Sequence, residues 1–114
     1  MSRLPDHRYG RLAETMAAWA MRLRGYRIVG RNVRVAGREV DLLARRGGTL
    51  VVCEVKARRS STFGTPAEAV GPAKQRRLRE AGEMLLARDP GLRTVRFDVI
   101  AVTGWSVRHL PAAF

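Results

Sequence analysis

The stretch GREVDLLARRGGTLVVCEVKAR, residues 37–58, sets Glu39, Asp41, Glu54 and Lys56 among residues apolar enough to lie inside a protein. Buried charges are costly unless they are paired, hydrogen-bonded or bound to a metal. The stretch reads as two strands joined at Gly47-Gly48. Strand alternation sends Val52, Glu54 and Lys56 to one face and Val51, Cys53 and Val55 to the other. A two-residue turn then sets Asp41 across from Glu54 and Glu39 across from Lys56, with Cβ atoms about 4.5–5.5 Å apart. Two carboxylates at that distance repel, and a divalent cation would compensate. Mg²⁺ (or Mn²⁺) takes hard oxygen ligands, commonly one or two carboxylates and water. A neighbouring lysine would orient an attacking water or stabilise developing negative charge. A slip of one residue in the turn would carry Asp41 to the opposite face and break the site.

The competing reading is a solvated strand face with an ordinary Glu39–Lys56 surface pair, worth little to stability. Composition favours chemistry. Of 22 basic residues only two are lysine, Lys56 and Lys74. In a chain that prefers arginine so strongly, a lysine points to a need for its compact ammonium group.

The elements that must position these groups follow from periodicity. Apolar residues at Tyr9, Leu12, Ala13, Met16, Trp19, Ala20 and Leu23 recur at helical spacing, so a helix is expected over about 9–23 with that stripe, Trp19 included, in the core. Gly25 suits its C-terminal cap. YRIVGRNVRV is extended and bulged around Gly30. After the hairpin, RRSSTFGTPAEAVGP is loop-like with a short helical turn at 66–69. A second helix starts near Pro72 and runs to about Ala87. TVRFDVIAV and WSVRHL are strands. One domain over 1–114 results, an α/β sandwich with a mixed sheet flanked by helices.

The 114 residues support one modest core, and the apolar fraction of 46% is ordinary. The net charge is +12, which points to a polyanionic partner, nucleic acid first. Arg58, Arg59, Arg76, Arg77 and Arg79 are the candidate phosphate contacts. A single cysteine, Cys53, excludes an intrachain disulfide and fits a reducing compartment. No segment approaches the ~20 apolar residues of a membrane span. A cytoplasmic protein with no membrane association is expected. His7 and His109 have no ligand-type neighbours in sequence and suggest no zinc site. Asp98 shares a strand face with Arg96, which reads as a structural pair ahead of a metal ligand. Trp105 suits either base stacking or an interface.

The spacing of Asp41, Glu54, Val55 and Lys56 resembles the PD-(D/E)XK nuclease superfamily, which includes restriction endonucleases and Holliday junction resolvases. GRLAE at 10–14, GYRIVGRN at 25–32, EVDLLA at 39–44, EVKAR at 54–58, FGTPAEAV at 63–70, Lys74 and RFDVIAV at 96–102 are together similar to its YraN-like branch. The resemblance implies a restriction-endonuclease-like three-layer sandwich. It implies that Asp41, Glu54 and the backbone carbonyl of Val55 hold Mg²⁺, and that Lys56 helps activate water. It further implies a catalytic role for Glu14 on the first helix, a residue that helical geometry alone would leave solvated. Lys74, with Gln75 as a lesser candidate, would face the site from the second helix. Resolvase-like relatives suggest a homodimer. The expectation is therefore a Mg²⁺-dependent endonuclease of DNA or structured nucleic acid, leaving a 5′-phosphate. The alternative is a nucleic-acid-binding accessory module that keeps the fold without turnover.

Overall fold

The computed structural model describes residues 6–58 and 70–114. The helical turn expected at 66–69 and Arg59 lie outside the described residues. In chain order the elements are α1 (Asp6–Leu23), β1 (Arg27–Val35), β2 (Arg38–Arg46), β3 (Thr49–Arg58), α2 (Pro72–Arg88), β4 (Thr94–Thr103) and β5 (Ser106–Leu110). The five strands form one sheet in sequential order, with β3 at its centre. Only β3 and β4 run parallel, because α2 carries the chain back across the sheet; the other neighbours are antiparallel. The sheet is mixed, as expected from sequence.

Two apolar clusters lie on the two faces of the sheet and make the molecule a three-layer sandwich. Ala17, Ala18 and Met21 of α1 pack on Leu42, Val51, Cys53 and Ile100. Leu78 and Ala81 of α2 pack on Leu43, Val52, Phe97 and Val99. The division of β3 into a Val51/Cys53 face and a Val52 face follows the alternation anticipated from sequence. Gly82 lets α2 approach β4 closely: a Cβ there would lie 2.8 Å from Phe97 Cζ and 3.0 Å from Val95 Cγ2.

The α1 stripe needs correction. The fully buried positions are Ala13, Ala17, Ala18 and Met21, whereas Trp19 is 57% and Leu23 84% exposed. Three alanines and Met21 face the sheet, whereas Trp19 and Leu23 are turned aside. The Arg22 guanidinium covers the Trp19 ring at 5.0 Å, so the indole is partly shielded without entering the core.

The turn at Gly47-Gly48 forms as expected, with Arg46 paired to Thr49 and Gly47 at φ +58°. Gly48 O accepts bonds from Arg93 N (2.7 Å) and Thr94 N (3.2 Å), tying the hairpin tip to the start of β4. In β1 the register with β2 shifts between Ile28 and Gly30, the expected bulge.

Candidate metal and phosphate site

The β2–β3 ladder runs from Arg46–Thr49 to Leu42–Cys53 and then ends. Beyond it the Asp41 side chain takes over from the backbone: its Oδ2 accepts the Val55 N–H at 3.0 Å. The register is the anticipated one. The direct pairing of Asp41 with Glu54 and of Glu39 with Lys56 expected from sequence is not in the ladder, because the strands diverge after Leu42–Cys53. Glu39 pairs instead with Arg34 of β1 and is exposed. This divergence opens the sheet where Glu54 emerges, on the face covered by α2.

Glu54 is 3% exposed. Its Oε1 accepts a bond from Lys74 Nζ at 2.7 Å, and Lys56 Nζ lies 3.9 Å away. The two lysines of the chain therefore converge on one carboxylate oxygen. The other oxygen, Oε2, is buried with no hydrogen-bond partner among the described residues. Burial, and after it the charge of Asp41, push the Glu54 carboxyl up to about 7, against the opposing pull of Lys74. A buried carboxylate with an idle oxygen, beside a second acid, is an electrostatically expensive arrangement that a hard cation would relieve.

A pocket of about 410 Å³ opens beside this pair, lined by Arg38, Glu39, Asp41, Lys74 and Arg77 among others. Arg76 and Arg79 are exposed on α2 near Arg77, and Arg58 is half-buried at the end of β3.

Three of the candidates have partners of their own. Glu14 accepts a bond from Asn32 Nδ2 at 3.0 Å. Asn32 lies between Arg31 and Val33, which pair with Leu42 and Val40, so Glu14 is held on the β1 side of Asp41; among the described residues no group of three or more His, Cys, Asp and Glu side chains could hold a metal ion. The Gln75 amide is engaged by the Val70 carbonyl at 2.8 Å. Asp98 pairs in register with Cys53, so it lies on the α1 face, opposite Glu54.

Asp98 anchors a network of its own. It accepts from Arg96 Nε (2.9 Å) and Nη2 (2.8 Å), from Ala112 N (2.9 Å), and lies 2.6 Å from His109 Nε2. Burial acts to raise the Asp98 carboxyl, but the Arg96, His109 and Ala112 contacts outweigh it and hold the group below its usual range. The Arg96 guanidinium also donates to Tyr26 Oη at 2.8 Å. The sequence reading of Asp98 as a structural partner of Arg96 stands, and His109 is a partner it missed. The signal was there: a two-residue turn at Gly104-Trp105 puts His109 opposite Ile100, diagonal to Asp98. Cys53 lies in the core as expected; burial, with Asp98 next, pushes its thiol far up and leaves it unreactive.

Fold and site together describe a small α/β sandwich protein with an acid–lysine cleft where the central strand separates from its neighbour. Residues 13–102 match the model of the Uncharacterised protein family UPF0102. Among similar proteins is a UPF0102 protein of Symbiobacterium thermophilum, 48% identical over 100 residues, covering 85% of this chain and 83% of that protein. Another is a UPF0102 protein of Geobacter sulfurreducens, 47% identical over 104 residues, with 86% and 80% covered. A third, from Mesorhizobium japonicum, is 43% identical over 106 residues, with 91% and 83% covered. The chain belongs to the UPF0102 family.

Proposed function

We propose that this chain is a divalent-metal-dependent phosphodiesterase of nucleic acid, a member of the PD-(D/E)XK nuclease superfamily. The observation that carries the reading is Glu54: a buried carboxylate with one oxygen that has no hydrogen-bond partner among the described residues, beside Asp41 and next to two lysines. Asp41 and Glu54 fit Mg²⁺ or Mn²⁺, which take one or two carboxylates with waters completing the shell. A third acidic ligand is not required for that coordination.

A bound divalent cation supplies Lewis-acid stabilisation of the phosphodiester's developing negative charge. The chain's own groups do the remainder. Val55 N–H fixes the Asp41 carboxylate by hydrogen bond. Lys56, 3.9 Å from Glu54, is held where its ammonium can orient a water for attack. Lys74, with 42% of its side chain exposed, is free to exchange Glu54 for a phosphate oxygen. Arg77 on the pocket wall offers a further phosphate contact.

The Lys74–Glu54 ion pair also favours a second reading. At 2.7 Å it neutralises the carboxylate without a metal, which suits a binding module that needs a partner to become active. Cleavage of labelled single-stranded, duplex, flapped and four-way-junction DNA, and of RNA, with Mg²⁺ or Mn²⁺ separates the two. The enzyme reading expects metal-dependent cutting of at least one substrate and its loss, by about 10²-fold or more, in Asp41→Ala. Cutting that survives Asp41→Ala removes the site assignment, and binding without cutting selects the module.

A further inference from the structure

Beyond the acid–lysine cleft, the end of the sheet where β3 finishes carries an exposed tryptophan on an immobilised turn. Trp105 is 73% exposed. It follows Gly104, whose φ of +59° closes the β4–β5 hairpin in two residues. Gly104 N donates to Arg58 O at 3.2 Å, and Gly104 O accepts from Tyr9 Oη at 3.0 Å. The turn is thus bonded both to β3 and to the first turns of α1. A large apolar ring left in water on a backbone pinned at two points is not core that failed to pack. Its backbone is already fixed, so a contact made by the ring would cost little ordering.

The register connects this ring to the cleft. Lys56 pairs with Ala101 and Ala101 with Arg108, so the three share one rung and one face. Arg58, Thr103 and Ser106 form a rung two residues further on and end at the turn. Adjacent strands lie about 4.8 Å apart and residues advance about 3.3 Å along a strand. Lys56 and Arg108 backbones are therefore roughly 10 Å apart, with only a methyl group between them. Arg108 and Ser106 are exposed. The result is a positively charged row, buried at Ala101 and exposed at Arg108 and Ser106, that leads from Lys56 towards the turn carrying the indole.

We propose that Trp105 is a base-stacking platform and that the substrate of the cleft is a nucleic acid with unpaired bases next to the scissile phosphate. This rests on the nucleic-acid reading of the cleft. A base within a duplex keeps its faces stacked on neighbours, so an indole a few residues from Lys56 is used only by a strand whose bases are free. Every base has a π-face, so the contact is tolerant of sequence, while Arg108 and Lys56 hold the backbone.

The test is a fluorescence titration in a Trp19→Phe background, which leaves Trp105 as the only indole. It is run in EDTA, with a 12-residue oligo(dT), the matching oligo(rU), and a 12-base-pair DNA duplex as probes. The proposal expects quenching by the single strands, about tenfold weaker single-strand affinity in Trp105→Ala by anisotropy, near-full retention in Trp105→Phe, and duplex affinity changed less than twofold. Preference between oligo(dT) and oligo(rU) separates DNA from RNA as the source of the unpaired base. Equal single-strand affinity in wild type and Trp105→Ala overturns it. So does an equal loss for duplex and single strand, or a Trp105→Ala change that alters only self-association measured by sedimentation. Without divalent metal the titration does not depend on turnover. Quenching together with no cleavage in a parallel Mg²⁺ assay supports the platform and rejects the hydrolytic reading.

Discussion

At the scale of single residues, Glu54 governs the pH behaviour of this protein. Its folded value of about 7 lies above the unfolded glutamate range, so the folded chain holds that proton more tightly. Such a group stabilises the fold fully below the unfolded value and loses that contribution as pH rises through the folded one. Between about pH 4.5 and 7 the carboxyl should therefore cost the fold on the order of 3 kcal/mol, with the full cost present at pH 8. Glu54→Gln removes the ionisation but keeps the shape. Urea denaturation should show the variant more stable than wild type at pH 8 by about 1–3 kcal/mol, with the difference gone at pH 4. An unchanged pH slope would mean that Glu54 ionises without penalty. The cluster itself was legible as residue types, since the scarcity of lysine singled out the two that meet at Glu54. The approach of Lys74 to the site was legible through the family resemblance alone; its pairing with Glu54 was not, because it depends on how α2 docks across the sheet. Nor was the separation of Asp98 from the site, which needs the parallel register of β4 on β3.

At the scale of elements, alternation and turn chemistry carried most of the information. Gly47-Gly48 set the β2–β3 register, and Pro72 marked the start of α2. The failure at α1 has a plain cause. Its apolar residues spread over more of the helix than one buried stripe, and periodicity does not say that the sheet admits only Ala13, Ala17, Ala18 and Met21. The ladder's early end at Leu42–Cys53 was equally hidden, because it is a side chain, Asp41, that displaces the next backbone bond. The α2–β4 contact yields a prediction of its own. Gly82→Ala would improve helix propensity by about 1 kcal/mol, yet its Cβ would meet the Phe97 ring at 2.8 Å. The clash should win, with a net loss of about 1–2 kcal/mol in denaturant unfolding. Because α2 carries Lys74, the pocket should loosen as well. A stabilised Gly82→Ala protein would show that the helix–sheet spacing is not set by this glycine.

At the scale of the whole molecule, charge bears on the partner class. The chain carries +12, and exposed arginines line α2 and the hairpin edge β1. No described helix is long and apolar enough to cross a membrane. If phosphates supply the affinity, nucleic-acid binding should fall by roughly one to several orders of magnitude between 50 mM and 200 mM salt. Arg77→Ala should then lower the salt slope by about one counterion. A flat salt dependence would leave the charge without a polyanionic partner. Fold class and charge could be read from the sequence with little help. What the structure adds is the convergence of both lysines on Glu54, whose second oxygen has no hydrogen-bond partner among the described residues, beside a pocket lined by Asp41 and Lys74.

That coincidence is tested most directly by Mn²⁺ binding to the intact chain, followed by electron paramagnetic resonance at pH 8 and pH 5.5. One site per chain is expected. It should be at least about tenfold tighter at pH 8, where Glu54 has lost its proton, and it should be lost in Asp41→Ala and in Glu54→Gln. Affinity that does not change with pH, or that survives both substitutions, would contradict the assignment of a metal to Asp41 and Glu54.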